Sequence, residues 1–244
     1  VSDIEVIMLK ISFVVPIYNE EENIPKLVQE ILAVAPNISD DYEILLVDDC
    51  STDKGLELIR NLAEQNQKIR PLALVRNSGQ SAALSVGFQA ATGEVIITMD
   101  ADLQNDPADL RQMINHYGDY DMVNGWRFDR QDTLSKKIAS KIGNGFRNWV
   151  TKETIHDTGC SLKIMNAAML KRIHIYKGLH RFLPTLMRLE GAKVIEVKVS
   201  HRQRLFGESK YTNMRRGIEG FYDVIAVRWM QQRHLKIEVK EEQL

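Results

Sequence analysis

The stretch IITMDADLQNDP, Ile96 to Pro107, joins an apolar run to a cluster of acidic and amide side chains. The run reads as a buried strand that ends in Asp100, Ala101 and Asp102, with Gln104 two residues further on. Side chains two apart in an extended chain point the same way. If extended geometry continues past the strand, Asp100, Asp102 and Gln104 converge on one point. Two carboxylates held that close repel each other and raise one pKa, unless a cation lies between them. All-oxygen donors suit Mg2+ or Mn2+, which commonly bridge to substrate phosphates. The competing structural reading makes these acids caps for a helix expected at 107–117, where Pro107 suits the first helical position. Asp106 fits that cap, whereas Asp100 and Asp102 come too early for it.

Working outward, apolar runs alternate with helical patterns through the first half of the chain. ISFVVP (11–16), YEILLVDD (42–49), LALV (72–75) and EVIITMD (94–100) read as strands. Between them, 21–35 reads as an amphipathic helix and 79–92 as a small-residue helix. Ser51 or Thr52 is expected to cap the helix carrying Leu56, Ile59 and Leu62. Such alternation predicts a mostly parallel sheet covered on both faces. Beyond Asp121 the expected elements are a strand at 121–127, a basic helix at 133–151 and a strand at 161–165. Helices at 166–173 and 180–190 and an alternating strand at 193–200 follow, then a loop and a last helix at about 213–231. The organisation expected is one α/β domain over 1–212, followed by an amphipathic helix and tail over 213–244.

Ligands of open parallel sheets sit outside the carboxyl ends of the strands. Three strands here end in polar residues: Pro16 to Glu20 with Tyr18 between them, Asp48 with Asp49, and Asp100 to Asp102. One such ending is unremarkable, since acids often cap the next helix. Three at one edge point to a pocket.

With 244 residues, 44% hydrophobic and 27% charged, the chain can bury a sizeable core. No run reaches the roughly 18 apolar residues needed to cross a bilayer. VSDIEVIMLK does not read as a signal peptide, and Cys50 and Cys160 form neither a metal motif nor a disulfide framework, so a cytoplasmic protein is expected. Residues 1–123 hold 8 Lys/Arg against 21 Asp/Glu, while residues 124–216 hold 20 against 7. The halves are either solvated faces in balance, or the basic half meets phosphates or a membrane surface. No nucleic-acid motif or aromatic-basic platform accompanies the charge, so nucleic acid is not expected as a partner.

VVPIYNEEENI, LLVDDCSTDKG, NSGQSAALSVGFQAATGEVIITMDADLQNDP and DTGCSLKIM together resemble the family 2 glycosyltransferases. HRQRLFGESKY narrows the resemblance to the branch that glycosylates polyprenyl phosphates. The resemblance spans about residues 10–230 and implies the GT-A fold, a Rossmann-like domain that uses a nucleotide-sugar donor and a divalent metal, Mg2+ or Mn2+. It places Pro16, Tyr18, Glu20, Asp48, Asp49, Asp100 and Ala101 at the nucleotide, and Asp100, Asp102 and Gln104 at the metal. It puts Arg204 and Lys210, within the R-x-x-G-x-S-K loop that also holds Gly207 and Ser209, on the donor diphosphate. Arg127 and Arg130 are implied to receive the acceptor phosphate, with Ser209 nearby.

Asp157 takes the place of an acceptor-side acid or base in this resemblance. A hydroxyl acceptor needs a general base. A phosphate monoester, with its second pKa near 6, is already anionic at neutral pH, and Asp157 would then orient Arg127 or the acceptor. The basic helix (Lys136, Lys137, Lys141, Arg147) reads either as a solvated face or as one attracted to anionic headgroups. Many relatives carry membrane spans after the last loop, and these 244 residues hold none. The last helix places Met214, Ile218, Phe221, Ile225 and Trp229 on one face, with Tyr222 beside it. That face either packs on its own domain or lies in a membrane interface.

The function expected is metal-dependent, inverting transfer of a hexose to a polyprenyl phosphate at the cytoplasmic face of a membrane. GDP-mannose leads as donor and a UDP-sugar follows. One alternative is transfer to a saccharide hydroxyl with Asp157 as base; another is a non-catalytic nucleotide-sugar-binding partner of a membrane enzyme. A membrane subunit or self-association stays open.

Overall fold

The computed structural model describes residues 9–128, 134–204 and 213–235. Among them, seven strands form one sheet in the order β3-β2-β1-β4-β6-β5-β7. These are β1 (Ile11–Ile17), β2 (Tyr42–Asp48), β3 (Ile69–Ala73), β4 (Val95–Thr98), β5 (Met122–Arg127), β6 (Lys163–Asn166) and β7 (Val194–Val199). Helices α1 (Ile24–Val34), α2 (Gly55–Gln65), α3 (Gln80–Ala90), α4 (Leu110–Ile114), α5 (Leu134–Thr151), α6 (Ala167–Leu170), α7 (Leu183–Leu189) and α8 (Asn213–Arg233) connect or flank them.

β1 and β2 are interior strands in which nearly every residue is apolar and buried, with both faces covered. Period-two geometry sorts their side chains. Phe13, Val15, Ile44 and Leu46 join one core with α1 residues Ile24, Leu27, Val28 and Ile31. Val14, Leu45 and Val47 join the other, with Ala83, Leu84 and Phe88 of α3. Gly87 lets α3 approach closely, since a Cβ there would lie 2.3 Å from Val14 Cγ1.

The sheet is parallel except for β6, which runs antiparallel to both β4 and β5. β7 pairs in parallel with β5 as an edge strand, half-buried along most of its length rather than cleanly alternating. The chain switches direction of travel between β1 and β4, so the carboxyl ends of β1, β2, β4 and β5 share one edge with the beginning of β6. That is the position where α/β sheets form ligand sites.

Local details differ from the sequence expectations in several places. The cap of α2 is not Ser51 or Thr52; Gly55 N–H donates to Asp53 Oδ1 at 2.9 Å, and Ser51 Oγ instead accepts from Asn19 N–H at 3.0 Å. Asp106 does cap its turn, accepting from Ala108 N–H at 2.9 Å, but a 3-10 turn, Pro107–Asp109, precedes the short α4. Arg147 is not part of a solvated basic face. It is buried, donating to Thr158 Oγ1 at 2.7 Å and Ile155 O at 2.6 Å, and so ties α5 to the segment before β6.

α8 packs through Val224 and Val227 against Leu179, Phe182 and Leu186. The stripe expected from periodicity lies off this contact: Phe221, Tyr222, Ile225 and Trp229 stay exposed, the last at 61%. Phe221 stacks on Phe146 of α5 at 5.4 Å, and Trp149 of α5 is 78% exposed beside it. Among the described residues no helix is long and apolar enough to cross a membrane.

The α3–β1 contact makes a direct prediction. Gly87→Ala forces a methyl group into Val14 and should destabilise the fold by about 1–3 kcal/mol, the usual range for overpacking. Urea unfolding should show a lower midpoint with an unchanged slope.

Candidate active site

The first two strand ends are laced together before any ligand is considered. Thr52 N–H donates to Asn19 Oδ1 at 2.7 Å, Glu21 N–H to Asp53 Oδ2 at 3.0 Å, and Lys54 N–H to Glu21 Oε2 at 2.7 Å. Asn19 and Cys50 take positive φ values of 52° and 59°, a cost that such over-determined turns can bear. Asp48 is fully buried, with Oδ2 accepting from Ser51 N–H at 3.1 Å. Its Oδ1 has no hydrogen-bond partner among the described residues. Asp49 uses its carboxylate differently: it accepts from Ser78 N–H at 2.7 Å, Gly79 N–H at 2.8 Å and Asn77 Nδ2 at 3.0 Å. It thereby holds the loop that starts α3.

The stretch after β4 does not stay extended. The strand stops at Thr98, residues 101–103 turn, and Leu103 takes φ 59°. The extended geometry from which Gln104 was aligned with the two acids is therefore absent, and the Gln104 carbonyl accepts from Arg202 N–H at 2.9 Å. Asp100 and Asp102 remain neighbours. Burial, and then the charge of Asp102, push the Asp100 carboxyl up to about 6. Asp100 Oδ1 accepts from Gln80 Nε2 at 2.7 Å, and its N–H donates to Ser161 Oγ at 3.1 Å. Ala101 between them is buried.

Among the described residues no three His, Cys, Asp or Glu side chains converge as a complete metal cage. Two carboxylates, all oxygen and short of positive charge, nevertheless fit a divalent cation that takes its other ligands from phosphates and water.

Arg204 stands opposite. Its Nη2 lies 3.3 Å from both Glu20 Oε1 and Asp102 Oδ2. The first, third and last polar segments thus meet at one place, with Arg204 the cation among the acids. Ser209, Lys210 and Arg130 lie outside the described residues. Pro16 sits in β1 opposite Val47, and Tyr18 follows directly at the strand end.

On the other side of Asp100, reversed β6 brings the HDTGC segment to the edge. Arg127 donates from Nε to Asp157 Oδ2 at 2.7 Å and from Nη2 to Asp157 Oδ1 at 2.9 Å, a forked pair that is largely buried. Burial alone would raise the Asp157 carboxyl, but the Arg127 hydrogen bonds and charge outweigh it and hold the group below its ordinary value. Gly159 leaves room for this fork, since a Cβ there would lie 3.2 Å from Arg127 Nη2. Glu196 of β7 supports the turn, accepting from Asp157 N–H at 3.0 Å and His156 N–H at 2.8 Å.

Sequence reasoning on charge patterns missed Gln80, Ser161, Lys163 and Glu196. All but Glu196 lie within the motifs carrying the family resemblance, yet nothing in their spacing announced a partner. Lys163 is buried and donates to the carbonyls of Thr158 (3.3 Å) and Cys160, fixing the turn that holds Asp157. Burial lowers its pKa.

A mixed sheet of this order with an acidic carboxyl edge is the GT-A fold of nucleotide-sugar-dependent transferases. Glucosyl-3-phosphoglycerate synthase from Mycobacterium tuberculosis, solved with Mn2+, UDP and phosphoglyceric acid, superposes with a TM-score of 0.67 at 18% identity, over 93% of this chain and 80% of that one. A mannosyltransferase from Pyrobaculum calidifontis, solved with GDP-Man and Mn2+, gives 0.65 at 18%, over 90% and 65%. At such identities the likeness establishes the fold.

Residues 12–173 match the family described as Glycosyl transferase family 2, and the chain belongs to that family: it is a glycosyltransferase. It is similar to the undecaprenyl-phosphate 4-deoxy-4-formamido-L-arabinose transferase of Photorhabdus laumondii subsp. laumondii, 38% identical over 218 residues. That match covers 88% of this chain and 67% of the relative. The enzyme of the same name from Enterobacter sp. (strain 638) is 37% identical over 218 residues, 88% and 66% of the two chains. The chain thus spans about two thirds of the length of these relatives.

Asp100 supplies a pH prediction for the metal-free protein. Its folded value of about 6 lies above the ordinary 3.8, so the fold penalises the ionised form. The penalty is absent below about pH 4, grows between 4 and 6 and is full above 6. Asp100→Asn keeps an acceptor for Gln80 and removes the charge. In EDTA it should melt higher than the parent at pH 7.5, and the difference should shrink as the pH falls through 6 and vanish below about pH 4.

Proposed function

We propose that this glycosyltransferase moves a sugar from a nucleoside diphosphate donor to a polyprenyl phosphate, with undecaprenyl phosphate as the leading candidate. The observation that carries this reading is the Asp157–Arg127 fork. A carboxylate held by two guanidinium hydrogen bonds and kept below its ordinary pKa is a poor base for a hydroxyl. A phosphate acceptor needs no base, since it is anionic at neutral pH. In this reading Asp157 holds Arg127 rigid so that the guanidinium edge faces the incoming phosphate, a geometry suited to that anion. The names of the relatives agree with such an acceptor.

On the donor side, Glu20 and the buried Asp48 would meet the nucleotide, the free Oδ1 of Asp48 offering an acceptor to its base or ribose. Asp100 and Asp102 would hold Mg2+ or Mn2+; bound there, the ion neutralises the leaving diphosphate. Arg204 would pass from Glu20 and Asp102 to that diphosphate. A preorganised cation aimed at developing charge is worth more in a water-poor site than in solvent. The acceptor phosphate attacks the anomeric carbon as the bond to the diphosphate breaks, which inverts the configuration.

Mannose from GDP-mannose is the donor suggested by the motif resemblance, while the relatives are named for 4-deoxy-4-formamido-L-arabinose. That pentose class moves to first place among donors to test, with GDP-mannose and UDP-sugars as the other arms. The aromatic face of α5 and α8 supports peripheral contact with the membrane that holds the acceptor. Trp149, Tyr222 and Trp229 are exposed there, and the sequence of α5 includes Lys136, Lys137 and Lys141 and no acid.

Undecaprenyl phosphate in detergent, Mn2+ and a panel of nucleotide sugars should give a glycolipid with one donor class. Asp102→Asn should lower that transfer by about 10³-fold or more, as loss of a group central to charge stabilisation does. A saccharide product formed instead, or transfer undiminished in Asp102→Asn, would sink the reading.

A further inference from the structure

The end of β7 and the segment leaving it are fastened at four points to the turn after Asp102 and to the 3-10 turn and α4 that follow. Lys198 O accepts from Gln112 Nε2 at 2.8 Å. Ser200 donates to Asp109 Oδ2 from both N–H (2.8 Å) and Oγ (2.5 Å). Arg202 N–H donates to Gln104 O at 2.9 Å. The Arg202 guanidinium then forks, Nη1 to Glu30 Oε2 on α1 at 2.7 Å and Nη2 to Asp106 Oδ2 at 2.5 Å. Asp106 serves twice, since its Oδ1 caps the 3-10 turn. Two residues on, Arg204 reaches Glu20 and Asp102.

We infer that Arg202 is a positioning residue: its forked clamp to Glu30 and Asp106 registers the segment against the Asp100–Asp106 turn, and so sets where Arg204 meets the donor diphosphate. The chemistry favours arginine. A planar guanidinium satisfies two carboxylates on different elements at once, which a lysine ammonium cannot do in fixed geometry. Both carboxylates belong to elements that hold the donor edge, α1 after the β1 loop and the turn after Asp102. A shift of the segment by an ångström would misplace Arg204, and misplacement of that size is enough to lower rates substantially. The inference rests on the proposed transfer reaction only for its kinetic arm.

The test uses Arg202→Gln, Arg202→Lys, Arg204→Gln and the Arg202→Gln/Arg204→Gln pair in the full chain. Calorimetric titration with UDP and with GDP in Mn2+ measures the diphosphate site without catalysis. Arg202→Gln should weaken whichever diphosphate the parent binds by about tenfold. Arg202→Lys should recover only part of that loss. The pair should lose little beyond Arg204→Gln alone, because Arg202 acts through Arg204. In turnover, the donor KM should rise while the acceptor KM holds. Amide exchange in the free protein should quicken at 200–204 and 102–106 in Arg202→Gln, with the melting temperature nearly unchanged. Additive losses in the pair, full recovery in Arg202→Lys, or unchanged exchange at 200–204 would overturn the inference. Should no glycolipid form with the parent, titration and exchange still decide it, so the two readings fail separately.

Discussion

The reversal of β6 is the constraint on which the site depends. Inserted antiparallel between β4 and β5, it pairs Lys163 with Thr98 on one side and Asn124 on the other. Its entry segment therefore arrives at the same edge as the carboxyl ends of its neighbours. Ser161 reaches the Asp100 backbone, and Asp157 meets Arg127. Asp100, Asp157, Arg127 and Lys163 then form a buried set with two charges of each sign. Charges removed from water need partners and hydrogen bonds to be tolerated. A parallel β6 would deliver this segment to the opposite edge and leave Arg127 and Asp100 without it.

Around that centre the site divides into two walls. The donor wall consists of the laced loops after β1 and β2, the turn after β4 and the segment ending at Arg204. The acceptor wall consists of β5, the turn before β6 and Glu196 on β7. On the donor wall Asp100 and Asp102 stand side by side, and burial together with the charge of Asp102 raises the Asp100 carboxyl, whereas the Asp157–Arg127 fork is internally balanced. That asymmetry fits a site in which one wall gains a cation and a diphosphate and the other meets an anion without a proton to remove.

Departures from the sequence reading share a cause. Periodicity reports which side chains are apolar, not which element covers them. On α8 the marked stripe of Phe221, Ile225 and Trp229 stays outward, because the neighbouring Val224 and Val227 fit the cleft between Leu179, Phe182 and Leu186. Arg147 looked like one of four solvated cations and is buried, because the segment before β6 offers it a hydroxyl and a carbonyl. Gln104 was aligned with Asp100 and Asp102 on the assumption of an extended chain, and Leu103 turns that chain. Ser51 and Thr52 do not cap α2 because they are engaged with Asn19 across the edge; Lys54 takes the cap position without a side-chain bond, and Asp53 accepts from Gly55 N–H.

By itself, the sequence determined the alternating α/β order, the polar strand ends at one edge and the nearness of Asp100 to Asp102. Those features depend on apolar runs, strand alternation and residues close in the chain, all of which are local. Only the tertiary structure decided the reversed β6, the fork between Arg127 and Asp157 thirty residues apart, and the arrival of Arg204 at Asp102 across 102 residues. Pairings of that kind depend on strand direction and on which buried charge lacks a partner, and neither is written in the spacing of residues along the chain.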